Sequence, residues 1–175
     1  MARRYDMLHY AGASPGPHLL ITGAVHGDEP CGPQAIMRLQ QAVDDGHIHI
    51  THGRVTLIPV CNPAAYERGT RYYTRNMNRH FYPKDHPGTY EDERINELST
   101  YFVKADYLLD IHSYDIGGKP FVFLNADSGQ DRRLACMTGV DEALCDFGQA
   151  YANAGIEQSE MASMGTREYL DSLGG

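Results

Sequence analysis

Three continuous apolar runs constrain the fold of this chain more than any other feature. They are HLLITGAV at residues 18–25, RVTLIPVC at 54–61 and ADYLLDIH at 105–112. Runs of this length without polar alternation read as strands buried on both faces, the pattern of parallel sheets. Between the first two lies CGPQAIMRLQQAVDD, where Ile36, Leu39 and Val43 recur at helical spacing and Asp45-Gly46 closes the element. Pro33 falls in its first turn, where proline is tolerated. Before the third run, Thr89 reads as an N-cap followed by acidic Glu91, Asp92 and Glu93. Ile95, Leu98 and Phe102 then continue that helix. Alternation of buried strands and helices predicts a three-layer α/β domain, with a mostly parallel or mixed sheet and helices on both faces.

The flanking segments add detail. RYDMLHY reads as a further strand, Gly117-Gly118 as a turn and PFVFL at 120–124 as another strand. Residues 131–153 read as a helix, with Leu134, Met137, Leu144 and Phe147 on one face. GTREYLDSLGG reads as a cap, a short helix and a Gly-Gly ending. In this architecture a strand normally follows such an ending, so the domain, taken as one unit over 1–175, is expected to be cut short there.

A length of 175 residues suits one domain with a sizeable core. The net charge of −8 argues against nucleic acid or an anionic membrane as a partner. No run approaches the roughly 18 apolar residues of a membrane span. MARRYDMLHY has no apolar core of the kind a secretory signal needs. The four cysteines, Cys31, Cys61, Cys136 and Cys145, are scattered without a C-x-x-C. They read as reduced thiols of a cytoplasmic protein.

In open α/β sheets, ligands gather at the carboxyl ends of the strands. The first apolar run delivers His26 and Glu29, in HGDEP, to such an end; the second delivers Asn62 and the third His112. Two histidines and a glutamate form a known catalytic zinc set that leaves one position to water. Gly27 and Pro30 disfavour a helix, so His26 and Glu29 would chelate from a turn rather than across a helical turn. Metal-bound imidazoles need an acceptor for the second ring nitrogen, and Asp110 and Asp28 are both placed to supply one.

Residues 62–88 are long, polar and irregular by pattern, as functional loops are. Segment 66–84 carries Arg68, Arg71, Arg75, Arg79 and Lys84 against the single acid Glu67. In an acidic chain this local reversal of sign points to an anionic, carboxylate-bearing substrate. The interleaved Tyr66, Tyr72, Tyr73 and Tyr82 would also suit stacking on RNA, which the acidic remainder disfavours.

HGDE, NPAAYERGTRYYTRNMNRHF and LLDIHS, in this order, resemble the succinylglutamate desuccinylase/aspartoacylase family, which is related to the zinc carboxypeptidases. The resemblance covers roughly residues 18–125. It implies a carboxypeptidase-like α/β domain, usually followed by a smaller β-rich domain, which is not expected within residues 1–175. It matches His26, Glu29 and His112 to the ligands of one Zn2+. It matches Arg71 to the arginine that polarises the scissile carbonyl, and Asn78 and Arg79 to the pair that grips the substrate carboxylate. The family's general base is a glutamate on a later strand, expected beyond Gly175; Glu157, Glu160 and Glu168 lie in other contexts. The implied activity is zinc-dependent deacylation of a small anionic N-acyl amino acid or peptide-like substrate. The alternatives are a metallocarboxypeptidase and a non-catalytic zinc- and carboxylate-binding module that lacks its base. An oligomer is compatible with the sequence.

Overall fold

The computed structural model describes residues 7–113, 117–124 and 129–145. They fall in two compact units, with 7–113 in the first and the remainder in the second. The first unit is built on a mixed sheet of four strands: β1 (Leu8–Ala11), β2 (Ser14–Gly23), β3 (His52–Ile58) and β4 (Tyr107–Ile111). Their order is β1-β3-β2-β4. β2 runs parallel to both β3 and β4, whereas β1 pairs antiparallel with β3.

Alternation along the strands sends neighbouring side chains to opposite faces. Leu20 and Ile58 join Ile95, Leu98 and Phe102 of helix α3 (Tyr90–Phe102) in one core cluster. Ile21 and Leu57 join Ile36 of helix α1 (Cys31–Asp44) in another. Each face of the sheet is thus closed by one helix, and each fully buried Leu, Ile or Phe contributes about 1.5–3 kcal/mol. This is why the apolar runs lack polar alternation.

Both helix starts follow local chemistry. Thr89 caps α3 through its bond from Asp92 N, and the Asp92 carboxylate returns a bond to the Thr89 N–H at 3.1 Å. α1 begins directly after Pro30 and has no side-chain cap.

Several elements differ from their sequence reading. β2 starts at Ser14 rather than at residue 18. The second apolar run pairs only to Ile58, because Pro59 has no N–H to give the ladder. Beyond it the chain rejoins β2, with Cys61 N–H donating to Gly23 O at 2.9 Å and Asn62 N–H to Ala24 O at 3.0 Å. Segment 62–88 is not wholly irregular. It contains α2 (Pro63–Arg68), capped by the Asn62 side chain, and a 3-10 turn over Met77–Arg79, capped by Asn76. The polar composition of both elements masks them, since they are short and present few apolar positions.

In the second unit, β5 (Val122–Phe123) pairs parallel with β6 (Ala143–Leu144). The helix read over 131–153 is instead α4 (Gly129–Thr138), stopped where Gly139 takes a left-handed φ of 72°. Leu144 therefore lies in a strand, and Phe147 and the Gly-Gly ending lie outside the described residues. Among the described residues, no helix is long and apolar enough to cross a membrane.

Candidate metal centre

The three parallel strands deliver their carboxyl ends to one edge of the sheet. After β2 the backbone turns through a left-handed residue, Ala24, with φ of 44°. For a residue with a Cβ this is an uncommon conformation, held here by the Asn62 N–H bond to Ala24 O. The turn that follows carries His26 and Glu29, exposed by only 2% and 6%. Gly27 sits against α2, where a Cβ would lie 2.2 Å from the Ala65 carbonyl carbon. β4 ends one residue before His112.

His26, Glu29 and His112 each offer one ligand atom, and these atoms lie within 4.8 Å of one another. His26 Nδ1 is 2.8 Å from Glu29 Oε1, and His112 Nδ1 is 2.8 Å from Glu29 Oε2. The same carboxylate accepts the Ser113 N–H at 3.0 Å and an Arg71 guanidinium N–H at 3.0 Å. Burial acts to raise the Glu29 carboxyl, but the bonds from His112, His26 and Ser113 overcome it and hold it well below the usual range.

Each imidazole is held from behind. His112 Nε2 donates to Asp110 Oδ2 at 3.0 Å, and Asp110 Oδ1 accepts the Thr22 hydroxyl at 2.8 Å. Thr22 and Asp110 are register partners across β2 and β4, so the sheet itself aims the carboxylate. Behind His26, Nε2 meets Asn76 Oδ1 at 3.1 Å, and that oxygen also accepts the Asn78 N–H at 3.0 Å. Asp28 serves neither ring; its Oδ1 is buried with no hydrogen-bond partner. Burial pushes the His112 imidazolium down, but the Asp110 and Glu29 carboxylates outweigh it and lift its pKa to about 10.

This donor set fits a zinc ion. Both Nδ1 atoms and a carboxylate converge from the turn after β2 and the end of β4, and both outer nitrogens rest on oxygen acceptors, as metal-binding histidines require.

The remaining sequence candidates divide. Arg71 joins the cluster through Glu29, with its side chain 47% exposed. Asn78 donates its main-chain N–H to the Asn76 oxygen that also meets His26. Arg79 is exposed, and its guanidinium donates to the Asn78 carbonyl at 2.9 Å. Sequence reasoning missed Asn76, Thr22 and the Ser113 amide. Asn76 lies 50 residues from His26, and its one local signal is its place in the basic segment.

Residues 15–167 match the succinylglutamate desuccinylase/aspartoacylase catalytic domain. The chain is 30% identical over 152 residues to N-alpha-acetyl-L-2,4-diaminobutyric acid deacetylase of Halomonas elongata, covering 78% of this chain and 40% of that protein. The crystal structure of an aspartoacylase family protein from Mesorhizobium loti has the same fold, with a TM-score of 0.68 at 22% identity, over 97% of this chain and 61% of that one. The product-bound ectoine utilization protein EutE from Ruegeria pomeroyi aligns with a TM-score of 0.58 at 29% identity, over 77% of this chain and 41% of that one. The chain thus spans between 40% and 61% of the length of these relatives. The chain belongs to the succinylglutamate desuccinylase/aspartoacylase family.

Proposed function

We propose that this chain forms the zinc-binding core of a deacylase that hydrolyses the amide bond of a small, carboxylate-bearing N-acyl amino acid. The observation that carries this reading is the convergence of His26 Nδ1, His112 Nδ1 and the Glu29 carboxylate, with Arg71 on the same carboxylate. The activity named for the Halomonas elongata relative, deacetylation of an N-acetyl amino acid, supports the reaction class.

His26, Glu29 and His112 would hold the ion. Zinc, when bound, supplies Lewis acidity that activates water and polarises a carbonyl. Arg71 spends one N–H on Glu29, and its guanidinium has further donors for a carbonyl oxygen that gains charge during attack. Such a donor is worth about 3–4 kcal/mol in the transition state. Asn78 and Arg79 bind the substrate carboxylate, a task suited to an exposed guanidinium. Asp110 is committed to His112 and Thr22, so it keeps the ring aimed rather than moving protons. The proton transfer to the leaving amine falls to a glutamate outside the described residues. We place the protein in the cytoplasm, in keeping with its scattered cysteines.

The test is metal analysis followed by an assay on N-acetyl amino acids. One zinc per chain is expected, lost in His26→Ala and His112→Ala, with hydrolysis abolished in both. Zinc uptake with no hydrolysis by the full-length protein would reduce the reading to a metal- and carboxylate-binding module.

A further inference from the structure

Asn62 lies at the same sheet edge as the cluster and is fully buried, yet its side chain hydrogen-bonds elsewhere. Its Oδ1 caps α2 by accepting the Ala65 N–H, and its Nδ2 donates to Glu91 Oε1 at 3.2 Å. Glu91 stands in the first turn of α3 and is 0% exposed. Among the described residues, no cation pairs with it. Its charge is met by main-chain amides: Tyr73 N–H at 2.7 Å and Thr74 N–H at 2.9 Å on Oε1, with Thr74 N–H also at 3.1 Å from Oε2. Burial acts to raise its carboxyl, but the Thr74, Tyr73 and Asn62 bonds hold it below the usual range.

The location of these bonds gives them meaning. On one side of Tyr73-Thr74 is Arg71, whose guanidinium reaches Glu29. On the other is Asn76, whose oxygen holds His26. Arg75, between Thr74 and Asn76, and Lys84 further on both pair with Asp92, the neighbour of Glu91. A segment with this many cations repels itself, and a buried carboxylate is costly unless every lone pair is used. Glu91 uses its lone pairs on the backbone between the two residues that face the cluster.

We infer that Glu91, bridged by Asn62 to the start of α2, is a positioning residue: it fixes the backbone at Tyr73-Thr74 so that Arg71 and Asn76 face the metal ligands. The inference rests on the deacylase reading for its effect on catalysis, but its structural half stands without it.

The test uses Glu91→Gln, which keeps the shape but turns one oxygen into a donor facing N–H donors. Asn62→Ser is its companion, since a hydroxyl can still accept the Ala65 N–H but cannot bridge to Glu91. It carries the test if Glu91→Gln does not fold. Both variants should still bind one zinc per chain at saturating metal, because the three ligands themselves lie on other segments. kcat on an N-acetyl amino acid should fall about 10- to 100-fold, as misplacement of an oriented group does. In an Arg71→Ala background the same change should cost several-fold less, because only the route through Asn76 then remains. Trypsin should cut after Arg71 and Arg75 faster than in the parent, with or without zinc. An equal loss of kcat in both backgrounds would overturn the inference. A parent protein without zinc or hydrolysis would sink the deacylase reading instead. The tryptic rates would then decide alone, with unchanged cutting at Arg71 and Arg75 overturning the positioning role.

Discussion

Asp110 Oδ2 holds His112 Nε2 at 3.0 Å and thereby turns His112 Nδ1 toward Glu29. Thr22 fixes the other oxygen of that carboxylate from the neighbouring strand, so the ring inherits its direction from the sheet. Asp110→Asn keeps the shape but replaces an anionic acceptor with a neutral amide. Zinc affinity should fall about 10- to 100-fold, as it does when such acceptors are changed. Competition with a chromophoric chelator at constant pH measures this. Unchanged affinity would mean that His112 is aimed by something else.

The metal-free chain should show a pH-dependent stability of definite sign. His112 is raised from 6.5 to about 10, so the folded state keeps a proton that the unfolded chain releases. That stabilisation is complete below pH 6.5 and is lost as pH rises through about 10. Glu29 is lowered from 4.5, so its contribution is present above pH 4.5 and is lost as pH falls further. Urea unfolding after chelator treatment should therefore give greatest stability between these two limits. Zinc held as proposed would take the place of the Nδ1 proton, so the alkaline decline should be absent from the loaded protein. A metal-free chain equally stable near pH 6.5 and pH 10 would contradict this.

Zinc should also raise stability by mass action. With free zinc at 100 times its dissociation constant, the gain is about 2.7 kcal/mol, or roughly 5–11 °C in Tm for a chain of this size. Differential scanning calorimetry with and without chelator tests it. His26→Ala should abolish the shift.

Gly27→Ala is predicted to damage both fold and site. A Cβ there would lie 2.2 Å from the Ala65 carbonyl carbon and 2.3 Å from Tyr66 N, both backbone atoms that cannot swing aside. The HGDEP turn would have to lift from α2, at a cost of at least about 1–3 kcal/mol. Zinc titration and denaturant unfolding should both register the change.

Thr89→Ala removes the side-chain half of the capping box on α3, the helix that presents Glu91. A loss of about 1 kcal/mol is expected by urea unfolding. Zinc stoichiometry should be unchanged.

The sequence alone determined a good deal here. The unalternating apolar runs at 18–25, 54–61 and 105–112 require burial on both faces, and hence strands covered by helices. Thr89 and the acids after it mark a helix start, because capping is local chemistry. His26, Glu29 and His112 could be nominated together because each follows an apolar run. The tertiary structure decided what depends on distant neighbours. Nothing local distinguishes Asp28 from Asn76 as the acceptor behind His26. The choice arises where the Arg71–Asn76 stretch crosses the HGDEP turn, with Gly27 N–H donating to the Arg71 carbonyl at 3.3 Å. The extent of β3 and the short helix after Asn62 were hidden likewise, since a proline's missing donor and a six-residue helix leave little periodic signal. Glu91 reads in sequence as one of three acids at a helix start; only the packing of the basic segment over that turn makes it the one whose oxygens meet Tyr73 and Thr74.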